Sequence, residues 1–137
     1  MTKVNDIKII SIPKAHDIRG DLSVIEGKTI PFDIKRVYYL FDIPTGSERG
    51  GHAHKNLQQL LIAISGSFDV VLKDGDSERK ITLNKPSEGL LVVPGIWREL
   101  KNFSSGSVCL VVASDVFDEE DYIRDFSEFQ LFKNGIS

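Results

Sequence analysis

Residues 57–83 read LQQLLIAISGSFDVVLKDGDSERKITL. Apolar runs at 57–64 and 67–72 are split by Ser65-Gly66, and Asp74-Gly75 carries a hairpin signal before 78–83 returns alongside. The same rhythm extends in both directions. Upstream, residues 34–41 (IKRVYYLF) are rich in β-branched and aromatic side chains and stop at Asp42, Pro44 and Gly46. Downstream, Asn84-Lys85-Pro86 breaks the pattern, 89–93 resumes it and Pro94-Gly95 closes it. Residues 97–103 and 107–114 follow, joined by Ser104-Ser105-Gly106. Turn signals at such regular intervals predict an all-β sandwich or barrel.

The two ends differ from this middle. Residues 4–12 have alternating β character and are expected to form a strand that pairs outside the main barrel. After Ser114 the chain turns acidic at Asp118-Glu119-Glu120-Asp121. Tyr122, Ile123, Phe126, Phe129 and Phe132 then recur at three- and four-residue intervals, which predicts a short C-terminal helix covering part of the barrel. No repeat, linker or low-complexity tract interrupts the sequence, so residues 1–137 are expected to form one domain.

Composition narrows the function by exclusion. With 17 basic and 20 acidic residues the net charge is −3, which gives no general drive toward nucleic acid or anionic membranes. Any anion binding must come from a few placed arginines. Cys109 is alone, excluding an intrachain disulfide and a zinc site built on several cysteines; it is expected in the core. The polar start carries no secretory signal, and the longest apolar runs, 60–64 and 108–113, are far too short to span a bilayer. A soluble, cytoplasmic protein is expected.

One segment concentrates chemistry. It runs from Gly46 through Arg49, His52, Ala53, His54, Lys55 and Gln59 to Gly66. In an extended chain His52 and His54 point to one face, about 6–7 Å apart. Two imidazoles placed this way can ligate a metal, divide acid and base work, or simply fill a barrel mouth. His16 has no such neighbourhood and is expected to be a solvated loop residue. Arg79 and Arg124 are read as surface charges, and Lys55 is given no role.

The segment resembles the first cupin motif, G-x5-H-x-H-x(3,4)-E-x6-G, with Gly46, His52, His54, Gln59 and Gly66 in its positions. Gly95, Arg98 and Asn102 match the end of the second motif, G-x2-H-x3-N. The resemblance implies a cupin, a jelly-roll β-barrel with its site inside the open mouth. Metal-binding cupins use three histidines and a glutamate, whereas this chain has Gln59 and Arg98 at two of those positions. A neutral amide ligates poorly and a guanidinium repels a cation, so the pair is expected to work without metal or other cofactor.

Further segments narrow the likeness. Asp17-Ile18-Arg19-Gly20 resembles the D-x-R-G motif of cupins acting on nucleotide-diphosphate sugars, in which such an arginine helps hold the diphosphate. Ile30-Pro31-Phe32, Ile34 to Tyr39, Arg49-Gly50, His52 to Lys55, Ala113-Ser114-Asp115 and Asp121-Tyr122-Ile123-Arg124 are similar to the sugar 3,4-ketoisomerases. These act on dTDP-4-keto-6-deoxyglucose. The resemblance implies a dTDP-3-keto-6-deoxyhexose product, converted by an aminotransferase to a 3-amino sugar for a surface glycan such as a lipopolysaccharide or S-layer glycan. It also implies a homodimer, which an exchanged N-terminal strand at about 4–12 would suit.

On this reading His52 and His54 divide the acid and base roles at C3, C4 and their oxygens. Arg19, Arg36 and Arg49 are candidates for the diphosphate. Tyr38 shares a strand face with Arg36 and reaches the sugar or thymine ring, and Trp97 and Arg98 wall the site. Arg98 stands where family members carry either histidine or arginine, so the C4 configuration of the product stays open. Two alternatives remain. A 3,5-epimerase uses the same substrate, typically with a His–Asp base pair and a tyrosine acid. A non-catalytic sugar-nucleotide-binding cupin would keep the arginines and bind dTDP without turnover.

Overall fold

Twelve strands and one α-helix, with three short 3-10 turns, make up the described residues, 2–135, of a computed structural model. The strands are β1 (Lys8–Ser11), β2 (Lys14–Asp17), β3 (Gly20–Ser23), β4 (Arg36–Leu40), β5 (Arg49–His54) and β6 (Gln59–Ser65). They continue as β7 (Phe68–Lys73), β8 (Glu78–Leu83), β9 (Glu88–Val92), β10 (Trp97–Lys101), β11 (Val108–Ala113) and β12 (Tyr122–Ile123), followed by helix α1 (Phe126–Lys133). One five-stranded sheet has the order β1-β9-β6-β11-β4 and the other β12-β5-β10-β7-β8, while β2 and β3 form a separate hairpin. All pairings are antiparallel. This is the jelly-roll arrangement of a cupin.

Strand alternation decides which residues enter the space between the sheets. Leu61, Ala63, Phe68, Val70, Leu72, Leu90, Leu100, Cys109 and Val111 interdigitate there as the main core. The opposite face of the first sheet carries Leu60, Ile62 and Val112, covered by Ile12 and Ile30 from the segment that crosses it. On the outside of the second sheet, Ala53 and Trp97 pack under Ile123 and Phe129. The 57–83 stretch accounts for β6, β7 and β8, with Asp74 accepting hydrogen bonds from the backbone N–H groups of Asp76 and Ser77 to close the predicted hairpin.

Two expectations at the chain ends are corrected. Only residues Lys8–Ser11 of the N-terminal stretch are strand, and they pair with β9 at the edge of a main sheet rather than outside it. A single 3-10 turn, Val4–Asp6, precedes them, with Val4 buried against the core. Arg79, read as a surface charge, holds this turn by donating to the carbonyls of Val4 and Ile7. At the other end the helix begins at Phe126, capped by the Asp125 side chain. Tyr122 and Ile123 instead form β12 and extend the second sheet against His54 and Ala53. Ladder pairing overrides the helical spacing there.

Gly66, the last residue of the first motif, has a structural reason to be glycine. Its φ is +68°, and a Cβ there would lie 2.9 Å from the Cα of Ser107. Left-handed strain of about 1–2 kcal/mol adds to overpacking of about 1–3 kcal/mol. Gly66→Ala is expected to lower stability by about 2–5 kcal/mol in denaturant unfolding. A loss below about 0.5 kcal/mol would show that the β6–β7 turn relaxes freely.

Candidate active site

Alternation along β5 puts His52 and His54 on its inner face and Ala53 on the outer face, as the sequence predicted. Arg98 on β10 is the cross-strand partner of His52, so guanidinium and imidazole share that inner face. From the opposite sheet, β4 turns Arg36, Tyr38 and Leu40 inward and leaves Val37 and Tyr39 exposed. His52, Arg98, Arg36, Tyr38 and Leu40, with Arg49, Gly50, Leu100, Tyr122 and Arg124, line a cavity of about 320 Å³.

The cavity is rich in unused donors. Nε and Nη1 of Arg98, and Nε and Nη2 of Arg36, are buried with no hydrogen-bond partner. Arg98 is only 3% exposed. A buried cation with idle donors is costly unless an anion completes it. Tyr38 Oη receives hydrogen bonds from Arg98 Nη2 at 3.2 Å and from Gln59 Nε2 at 3.0 Å. The pocket therefore offers fixed positive charge, a phenol and an imidazole in one concave space.

The imidazoles are neutral at physiological pH. Burial, reinforced by the Arg98 charge, pushes His52 down to about 2. Burial and the same guanidinium bring His54 to about 4, against the opposing pull of Asp121. A neutral imidazole keeps a lone pair free to accept a proton, which a protonated ring does not. Burial also pushes the Cys109 thiol up to about 12, so it stays protonated in the core as expected.

His54 is set differently from His52. Its Nδ1 lies 3.1 Å from Asp121 Oδ2, and Asp121 also accepts the backbone N–H groups of Asn56 at 2.7 Å and Leu57 at 3.2 Å. The carboxylate thus fixes Nδ1 as the protonated nitrogen and leaves Nε2 with its lone pair, unpartnered and buried. His54 lines a neighbouring cavity of about 110 Å³ together with Ser114, Asp115, Asp118 and Asp121. Tyr122 belongs to both cavities, its ring 5.0 Å from that of His52 and 4.4 Å from that of His54. A His–Asp pair, which the sequence reading associated with 3,5-epimerases, is therefore present.

The cupin metal position does not fit a cation here. Arg98 directly opposes His52, Gln59 turns an N–H of its amide toward Tyr38, and His54 is engaged by Asp121. Among the described residues no group of three or more His, Cys, Asp or Glu side chains is arranged to hold a metal ion.

Two candidates lie apart from the cavity. Trp97 points to the outer face of β10, where its ring packs 5.3 Å from Phe126 and 5.7 Å from Phe129 and its Nε1 donates to Glu99. It supports the wall from behind, because residues 97 and 98 fall on opposite sides of the strand. Arg19 sits in the turn of the exposed β2–β3 hairpin, paired with Asp17 at 2.8 Å and absent from the cavity lining. His16 is exposed and paired with Asp21 on that hairpin.

Asp121, Tyr122 and Arg124 enter the site unassigned by the residue reading. Asp121 is 67 positions from His54 and lay inside what read as a solvated acidic run. Arg124, read as a surface charge, lines the cavity, stacks 4.2 Å from the Tyr122 ring centroid and is held by Glu119. Their one signal was the Asp121-Tyr122-Ile123-Arg124 run within the family resemblance.

Comparison with known proteins shows the family and the fold. The family described as "FdtA: WxcM-like, C-terminal" matches residues 5–134. The chain is 48% identical over 126 residues to TDP-4-oxo-6-deoxy-alpha-D-glucose-3,4-oxoisomerase of Aneurinibacillus thermoaerophilus, covering 91% of each sequence. A 3,4-ketoisomerase from Helicobacter canadensis superimposes with a TM-score of 0.91 at 46% identity, covering 94% of this chain and 98% of that one. The 3,4-ketoisomerase QdtA from Thermoanaerobacterium thermosaccharolyticum, solved as a His-to-Asn mutant in complex with TDP-4-keto-6-deoxyglucose, superimposes with a TM-score of 0.94 at 42% identity, covering 96% of each chain.

Proposed function

This chain belongs to the FdtA family (WxcM-like, C-terminal) and is a sugar 3,4-ketoisomerase, and we propose that its arginine-lined cavity moves the keto group of dTDP-4-keto-6-deoxyglucose from C4 to C3. One observation carries the reading. Two arginines with buried, idle donors share a cavity with a neutral imidazole and a phenol. That is the combination needed to hold a dianionic nucleotide while a carbon-bound proton is moved.

The reaction removes a proton from C3, next to the carbonyl, and delivers one to C4 through an enediol. The C3 hydroxyl proton passes to the former C4 oxygen, so atoms balance and no electrons leave the molecule. His52 lines the cavity with its lone pair available and takes the carbon-bound proton. Tyr38, polarised by Arg98, donates to the developing enediolate oxygen. His54, its ring centroid 4.8 Å from that of His52 and oriented by Asp121, is the second proton-handling group. Arg36 and Arg98, each with two unpartnered guanidinium nitrogens, and the more exposed Arg49 bind the phosphates. No metal or redox cofactor enters the scheme, because the ligand positions of metal cupins hold Gln59 and Arg98.

The test is a proton NMR time course of chelator-treated protein with dTDP-4-keto-6-deoxyglucose in D2O. A 3-keto product is expected without added metal, and His52→Asn should slow it by about 10²–10⁴-fold. The His54–Asp121 pair gives the epimerase reading its one specific support. Deuterium at C3 and C5 with inversion, and no ketone migration, would select that reading. Turnover of His52→Asn within about threefold of wild type would remove His52 as the base.

A homodimer is the assembly proposed. The β2–β3 hairpin is exposed along its whole length, with Ile18 and Leu22 uncovered, and an isolated hairpin is marginal in water. Ile9, Ile34, Val37, Tyr39, Phe41 and Ile64 are further large apolar side chains left exposed. A second copy covering these surfaces would bring Arg19 to a different environment. No helix among the described residues is long and apolar enough to cross a membrane, and a cytoplasmic location is proposed with it. Light scattering at micromolar concentration should give twice the chain mass. A mass equal to one chain would contradict the assembly.

A further inference from the structure

Gln59 stands where the first cupin motif carries glutamate, and its side chain is wholly buried. Its Nε2 lies 3.0 Å from Tyr38 Oη, and Arg98 Nη2 lies 3.2 Å from the same oxygen. A phenolic oxygen offers two lone pairs and one hydrogen. Both lone pairs are thus occupied by N–H donors, one of them cationic. Among the described residues the hydroxyl hydrogen has no acceptor, and Tyr38 lines the cavity alongside His52. The hydrogen is left for a group in that cavity.

The amide orientation follows from the same accounting. As placed, Gln59 leaves Oε1 without a partner. Turned over, it would instead withdraw its N–H donors from the Tyr38 oxygen and bury them without an acceptor. Buried carbonyl oxygens tolerate under-satisfaction better than buried N–H groups do. Glutamine is also the residue type that makes this arrangement possible. A carboxylate at position 59 would be acceptor-only and would take the Tyr38 hydrogen for itself.

We infer that Gln59 is a positioning residue for the isomerisation, holding the Tyr38 hydroxyl with Arg98 so that it donates its hydrogen bond to a sugar oxygen. The inference rests on the ketoisomerase reading for the identity of that oxygen. On this account the replacement of glutamate by glutamine does more than abolish a metal ligand. It sets the polarity of the hydrogen bond on which the enediolate depends.

Two variants test it. Gln59→Glu is isosteric and reverses the hydrogen bond, while Gln59→Met keeps the volume and removes the donor. Each is assayed for kcat and KM with dTDP-4-keto-6-deoxyglucose. In protein labelled at tyrosine 13Cζ, the Tyr38 resonance is assigned with Tyr38→Phe and followed in both variants. Gln59→Glu is expected to lower kcat on the order of a hundredfold with KM changed by less than about threefold, and to move the Tyr38 resonance. Gln59→Met should lose about tenfold in kcat. A kcat for Gln59→Glu within about threefold of wild type, or a Tyr38 resonance unmoved by it, would overturn the inference. If Gln59→Glu does not fold, Gln59→Met decides by the same two readouts. Absence of a 3-keto product from the wild-type protein would instead count against the ketoisomerase reading, and the resonance would then decide on Gln59 alone.

Discussion

Arg98 is a full positive charge held inside an apolar sandwich, 3% exposed and with two of its donors unpartnered. Charge in such a place is unfavourable unless something else completes it. Four properties of the site follow from that one placement. It repels a metal cation from the position where relatives of the fold bind one. It opposes protonation of both His52 and His54. It polarises the Tyr38 phenol. It also leaves donors in the cavity without partners, which an anion there would satisfy.

The jelly roll makes the placement possible. Arg98 and His52 arrive on adjacent strands of one sheet, while Arg36, Tyr38 and Gln59 descend from the facing sheet. The inner face is apolar toward one end, where Phe68 and Phe103 pack with ring centroids 5.4 Å apart. It is polar at the mouth, so a single core both stabilises the fold and orients the site. β12 closes the mouth by pairing with the strand that carries both histidines, bringing Asp121, Tyr122 and Arg124 with it. Helix α1 then seals the outer surface of that strand through Trp97, Phe126 and Phe129. Outer packing and inner chemistry are therefore coupled through a two-residue strand.

Much of this was legible from local pattern. Alternation in 34–41 and 57–83 placed the strands, and the two-residue offset of His52 and His54 placed both imidazoles on one face. What local pattern lacked was pairing information. Tyr122 and Ile123 have helical spacing to Phe126 and Phe129, but hydrogen bonds to β5 make them strand. Trp97 is adjacent to Arg98 in sequence and on the opposite side in space, because strand residues alternate. Asp121 looked like one more carboxylate in an acidic run; only the fold brings it to His54. Gln59 was legible as a departure from a metal motif, whereas its hydrogen bond to Tyr38 crosses between strands 21 residues apart.

The central claim is that burial, reinforced by the Arg98 guanidinium, keeps His52 neutral, with a lone pair free to accept a proton, at physiological pH. The direct measurement is a 15N NMR titration of the imidazoles in the ligand-free enzyme, with His52 assigned through His52→Asn. The account predicts a neutral His52 ring, one nitrogen protonated, at every pH from 8 down to about 5, well below the ordinary histidine value of about 6.5. A His52 that titrates with a midpoint near that ordinary value would contradict it.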